Sequence, residues 1–222
     1  MQQTQQMRRN QGLLALRWAV LLLVGYGAVT QQVISRGPLI QLDARIANAH
    51  RYNFAPWIDF VFRKIDDLGL RGLTATALLI TATYIGYRFK SWRPINLSVL
   101  CLLALNGVVG LSKIGMGRTK PRQNVDLINF GGLSYPSGHA SNALLTWGVV
   151  AYLIYRYAHV DRFKGKLASA GVALLTLSVC MVSLFRNTHW FSDLLGGLFV
   201  GGALLVLVVA VDRYFPSNSQ LS

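Results

Sequence analysis

The chain has 222 residues, 53% apolar and only 14% charged, and its 22 Lys and Arg stand against eight acidic residues, all of them Asp. Six long tracts carry no charge at all, and a soluble all-helical protein of this length has too little amphipathic helix to cover six such runs. The basic excess is explained by membrane topology, in which cations collect in cytoplasmic loops, and no nucleic-acid partner is expected. Residues 1–10 form a polar, Gln-rich leader, expected to be disordered, that carries Arg8 and Arg9. The first tract, Trp18 to Ser35, has no small-residue cleavage pattern behind it and is too long for a signal peptide, so it stays in the chain.

The next segment, Arg36 to Leu68, is the longest connection, with Leu42, Ile46, Trp57, Ile58, Val61, Phe62 and Ile65 at helix-like spacing. Such a helical segment either lies in the membrane interface or caps the bundle, and His50 within it reads as a solvated interfacial residue. The remaining tracts are Gly72 to Tyr87, Pro94 to Ser112, Ala140 to Tyr155, Leu167 to Phe185 and Leu194 to Val211. With their flanking residues they meet the roughly 17 to 25 residues that a helix needs to cross hydrocarbon. The fold class is therefore all-α, a polytopic membrane protein of six transmembrane helices. A polar tail, 216–222, is expected to be disordered.

Arg88, Lys90 and Arg93 mark the second loop, and Arg162, Lys164 and Lys166 the fourth, where His159 reads as solvated. Together with the leader these place both termini in the cytoplasm of a plasma (inner) membrane protein. No repeat or linker divides the chain, so residues 1–222 form one domain. Cys101 and Cys180 fall inside spans and behave as small apolar residues; neither a disulfide nor a zinc-ligand spacing is present. Glycines 107, 110, 115, 117, 196, 197, 201 and 202 read as positions where helices approach closely.

The third loop breaks the charge rule, since Lys113, Arg118, Lys120 and Arg122 lie on the side that should be poor in cations, with only Asp126 opposing. An anionic ligand explains cations kept there; contact with lipid headgroups is the plainer alternative. Lys113 and Lys120 are seven residues apart, nearly two helical turns, which puts both on one helix face, with Pro121 ending that helix. Pro136-Ser137-Gly138-His139 precedes the fourth span and forms a helix start, where free amides favour phosphate. Gly138 lets the backbone come close, the Ser137 hydroxyl adds a donor, and His139 is placed to move a proton. His189 and Asp193, four residues apart, share a helix face, so the carboxylate fixes one ring N–H and frees the other nitrogen as nucleophile. Asp193 reads as the only acidic residue at this edge.

These residues resemble the signatures of the type 2 phosphatidic acid phosphatase (PAP2) superfamily, Lys-x6-Arg-Pro, Pro-Ser-Gly-His and Ser-Arg-x5-His-x3-Asp. The second is met in full by Pro136 to His139, and the end of the third by His189 and Asp193. The resemblance implies a six-helix membrane core and a phosphohistidine intermediate at His189. It also implies leaving-group protonation by His139, phosphate held by cations, and neither metal nor other cofactor. Two positions depart. Lys120 stands where the first signature has Arg, keeping charge but losing the bidentate fork, with Arg118 or Arg122 as compensation. Ser183 stands six before His189, where the third has Arg, and Arg186 supplies the guanidinium one turn later.

The expected activity is hydrolysis of a phosphomonoester or diphosphate from a membrane lipid, with the site on the extracytoplasmic face. Polyprenyl diphosphate, phosphatidylglycerol phosphate, phosphatidate and a lipid A phosphate present similar heads. A phosphotransferase using the same residues, or a non-catalytic lipid-binding or transport protein on an eroded core, are the alternatives.

Overall fold

The computed structural model of the chain describes residues 2–49, 54–123, 126–158 and 160–214; His50, His159 and the 216–222 tail lie outside them. All regular structure among the described residues is helical. The helices are α1 (Gln2–Ile34), α2 (Pro38–Ala49), α3 (Pro56–Asp67), α4 (Arg71–Arg88), α5 (Arg93–Met116), α6 (Gly138–Tyr157), α7 (Arg162–Phe185) and α8 (Phe191–Tyr214). The six charge-free tracts fall in α1, α4, α5, α6, α7 and α8, while α2 and α3 occupy the long first connection. Helix α1 begins at Gln2, so residues 2–10 extend it where disorder was expected: the leader is dominated by Gln, Arg and Met, good helix formers, and has no Gly or Pro.

Four stretches, in α1, α5, α7 and α8, are long and apolar enough to cross a membrane, and α3 with α4 makes a further candidate bent by 48°. Helix α6 falls outside that set because it is the inward-facing helix, packed by α4, α5, α7 and α8. It spends positions on buried Ser141, Asn142 and Thr146, where an outer helix has leucine. The outer helices instead turn Val24, Ile80, Leu103, Leu111 and Leu174 outward, each more than 60% exposed. Apolar surface on this scale has no place in water and marks a multi-pass membrane protein.

Contacts fix two ends to the bundle. At one, Thr30 of α1 bonds the Tyr135 hydroxyl at 2.7 Å, the Leu68 carbonyl before α4 accepts from Trp147 of α6, and Ser137 N donates to the Asp193 carbonyl at 2.9 Å. This end gathers the C-termini of α1, α5 and α7 and the N-termini of α4, α6 and α8. At the other, Asp212 of α8 accepts from Arg93 of α5 and from the Tyr152 hydroxyl of α6, the latter at 2.7 Å. The long helices thus alternate in direction along the chain.

Glycine packing is uneven. A Cβ on Gly197 would stand 2.5 Å from the Ser137 carbonyl, so only glycine lets α8 pass so close to the start of α6. Gly107, Gly110 and Gly115, expected at helix contacts, have no other described atom within 4 Å of that position and face open space.

Candidate active site

Lys113 and Lys120 do not share a helix. Helix α5 stops at Met116 because Gly117 takes a left-handed conformation, φ 53°, and its N–H returns to the Lys113 carbonyl at 2.9 Å. Glycine is the usual residue for such a cap. Lys120 therefore stands in the loop ahead of the short 3-10 turn Pro121–Gln123, not on a helix face shared with Lys113. The loop is nonetheless ordered by cross-links: Thr119 N donates to Leu127 O at 2.9 Å, and Ser134 N to Arg118 O at 3.0 Å. It folds Lys120 back, so that Lys113 and Lys120 both act electrostatically on His139.

Helix α6 starts as the sequence suggests. Ser137 is its N-cap, the hydroxyl accepting from Ala140 N at 3.3 Å. Gly138 and His139 occupy the first helical positions, where amides have no partner within the helix. Lys113 bonds the Leu133 carbonyl, and its Cε lies 3.8 Å from where a Gly138 Cβ would stand, which sets the ammonium beside those amides.

His139 and His189 face each other with ring centroids 6.0 Å apart, tilted by 58°. His189 stands in the turn before α8, which begins at Phe191, and not on a helix face shared with Asp193 as expected; its Nδ1 still lies 3.4 Å from Asp193 Oδ2, which leaves Nε2 free. Asp193 is buried, and its two oxygens also take bonds from Arg118 Nη1 at 2.8 Å, from Trp190 N at 3.0 Å and from the Ser134 hydroxyl.

Asp193 is not alone at this edge. Arg118, with no exposed surface, holds three carboxylates: Asp193, Asp126 at 2.7 Å and Asp43 at 2.8 Å. Its guanidinium lies over the Trp190 ring at 5.4 Å. Asp43, from α2, also accepts from Ser192 N at 2.8 Å, and burial pushes its carboxyl above the ordinary carboxylate range despite the opposing pull of Ser192 and Arg118. The segment expected at the interface or as a cap thus sends one buried aspartate into the site through α2. Arg118 cannot replace a phosphate-binding arginine, because its donors are already taken. Arg122, also considered for that role, donates through Nε to the Arg186 carbonyl at 3.0 Å.

Arg186 caps α7, where Nε meets Asp59 at 3.2 Å and Nη1 meets Asp66 at 3.1 Å, both from α3. Ser183 bonds the other Asp66 oxygen at 3.0 Å. The guanidinium expected to meet phosphate is thus held by two carboxylates, and Asp66 is near enough to weigh on His139. Sequence reasoning did not find Asp43, Asp66, Ser134 and Ser192. The available signal was that every acidic residue is the short Asp, suited to close pairing in a tight space.

Among the described residues, no three His, Cys, Asp or Glu side chains converge as a metal-ligand set. The arrangement offers a nucleophilic imidazole, a second imidazole facing it as acid or base, and a rim of amides and ammonium groups for an anion.

An all-helical membrane bundle with paired histidines and lysines gathered at one end is the class of protein that this fold and site define. Residues 94–216, more than half of the chain, match the PAP2 superfamily, and the chain belongs to that superfamily. Phosphatidylglycerophosphatase B of Bacillus subtilis (strain 168) is 24% identical over 174 residues, 77% of this chain and 83% of that one. The crystal structure of a transmembrane PAP2-type phosphatidylglycerolphosphate phosphatase from Bacillus subtilis superposes with a TM-score of 0.71 at 20% identity. It covers 92% of this chain and 98% of its own, so the two share a fold.

Proposed function

We propose that the chain is an integral membrane lipid phosphatase that removes a phosphomonoester or diphosphate group through a phosphohistidine intermediate, without a metal. The observation that carries this reading is the 6.0 Å pairing of His139 with His189, backed by buried Asp193. In this reading the phosphoryl group is engaged by both rings at once. His189 Nε2 attacks phosphorus, the bond to the lipid oxygen breaks, and His139 gives that oxygen its proton, a kind of step worth about 10² to 10⁴-fold. Water, deprotonated by His139, then attacks the phosphohistidine, freeing phosphate and restoring His189.

Lys113, Lys120, Ser137 and the Gly138 amide cradle the equatorial oxygens, where much of the catalysis of phosphoryl transfer resides. Arg186 serves the rim of that cradle with its charge shared between Asp59 and Asp66. The single domain, 1–222, crosses the membrane six times, α3 lying outside the hydrocarbon beside α4. The cations of Arg88, Lys90, Arg93, Arg162, Lys164 and Lys166 support a topology with that end and both termini in the cytoplasm. The histidines then face the extracytoplasmic side, open to lipid. Phosphatidylglycerol phosphate is the first substrate to try, since both relatives are phosphatases of that lipid by name.

The test is phosphate release by purified protein from a panel of lipid phosphates with chelator present. Wild type should turn over and trap an acid-labile phosphoprotein on rapid quench, and His189→Ala should abolish both. Turnover surviving in His189→Ala removes the covalent step; label passing to an added acceptor lipid, with no free phosphate, makes the protein a phosphotransferase.

A further inference from the structure

At the end of the bundle remote from the histidines, α6, α7 and α8 do not close on one another. They leave a cleft of about 570 Å³ walled by Leu144, Gly148, Ala151, Val172, Ala173 and Leu205. Its mouth carries Arg162 and Lys166 at the start of α7 and Arg213 at the end of α8. A second apolar cleft, of about 280 Å³, adjoins it and shares Ala151, Tyr155, Gly165, Ala168 and Val172. The Tyr155 ring lies between the two helices because Gly165 has no Cβ, which would come within 2.8 Å of it.

The cations at the mouth have no carboxylate among the described residues. Asp161 caps α7 and pairs with Lys164 at 3.5 Å, while buried Asp212 is engaged by Arg93, Arg156 and Tyr152. Arg213 lies over the Tyr152 ring at 5.8 Å. A deep apolar floor with an all-cationic, solvent-exposed mouth, at the membrane end of a helix bundle, is complementary to one kind of molecule. We propose that this cleft binds an anionic phospholipid, its acyl chains along α6 and α7 and its phosphate among Arg162, Lys166 and Arg213. Basic pockets between membrane helices are a recurrent place for such headgroups. The site is separate from the histidine end and does not depend on the reaction proposed there; only its assignment to the cytoplasmic leaflet rests on that topology.

Native mass spectrometry of the purified full chain, with phosphatidylglycerol against phosphatidylcholine, tests the proposal. Wild type should retain phosphatidylglycerol preferentially. Arg162→Gln, Lys166→Gln and Arg213→Gln should each weaken that preference about 5-fold, and Ala168→Trp, which fills the cleft and keeps every charge, should reduce retention as well. Phosphatidylglycerol carrying a diazirine high on an acyl chain should label α6 and α7 around Ala151 and Val172. Equal retention of the two lipids, wild-type retention in the triple Gln variant, or label confined to the loops around His139 and His189 would each overturn it. Phosphate release in detergent, carried out by residues at the other end, should be unchanged in all five variants, the triple one included, and reports that they are folded.

Discussion

Each end of the bundle is built around one buried charge, and the two are of opposite sign. At the histidine end a single guanidinium, Arg118, gathers Asp43, Asp126 and Asp193. At the other a single carboxylate, Asp212, gathers Arg93, Arg156 and the Tyr152 hydroxyl. Both join distant segments of chain, and both satisfy groups that would be very costly to bury alone. The surplus differs. Three carboxylates around one arginine leave Lys113 and Lys120 without a described carboxylate partner, available to an anion, and one of the three steers the His189 ring. Among the described residues the Asp212 cluster touches no imidazole, and it serves to lock α5, α6 and α8 together. Similar chemistry thus underlies the proposed reactive centre at one end and a clasp at the other, and position relative to His139 and His189 separates the two.

That contrast can be broken experimentally. The largest effect should come from Asp193→Asn, which keeps the shape but removes the charge that orients and stabilises the imidazole. Turnover should fall on the order of 10⁴-fold, with most of the loss in kcat, and a kcat within 10-fold of wild type would mean that the His189–Asp193 contact is only structural. Arg118→Met should leave three carboxylates without their cation and destabilise the fold by about 3–5 kcal/mol, read as a drop in melting temperature in detergent. Asp212→Asn should cost about 1–3 kcal/mol and leave kcat alone; a kcat loss would show that the two ends are coupled. Smallest is Lys120→Ala, which should raise KM about 10-fold, or roughly 1.4 kcal/mol of binding, with partial recovery in Lys120→Arg.

Much of this was legible in the sequence because it is local. Charge-free tracts mark the six long helices, and Ser137 is the cap that its place before a helix suggests. His189 and Asp193 do meet, but across the turn before α8 rather than on one helix face, because the helix begins only at Phe191. The lysine pair failed for a local reason that was also visible: Gly117, three residues before Lys120, ends the helix before the seven-residue spacing is complete. The Arg118 cluster was legible only in its near partner Asp126, since the other two carboxylates, Asp43 and Asp193, lie 75 residues away on either side. The carboxylates that hold Arg186 were hidden for the same reason, lying 120 and 127 residues upstream. Helical periodicity carries no information about which face of α3 meets the end of α7.

The loops bearing the motifs are tied directly to one another: Ser137 N to Asp193 O, Ser134 N to Arg118 O, and Trp190 Nε1 to Thr119 O at 2.9 Å. A receptor wired in this way is preorganised. Its segments lose their conformational entropy once, when the chain folds, and not again at each encounter with a headgroup. The flexible acyl chains of the arriving molecule, rather than the protein, then make most of the adjustment on docking.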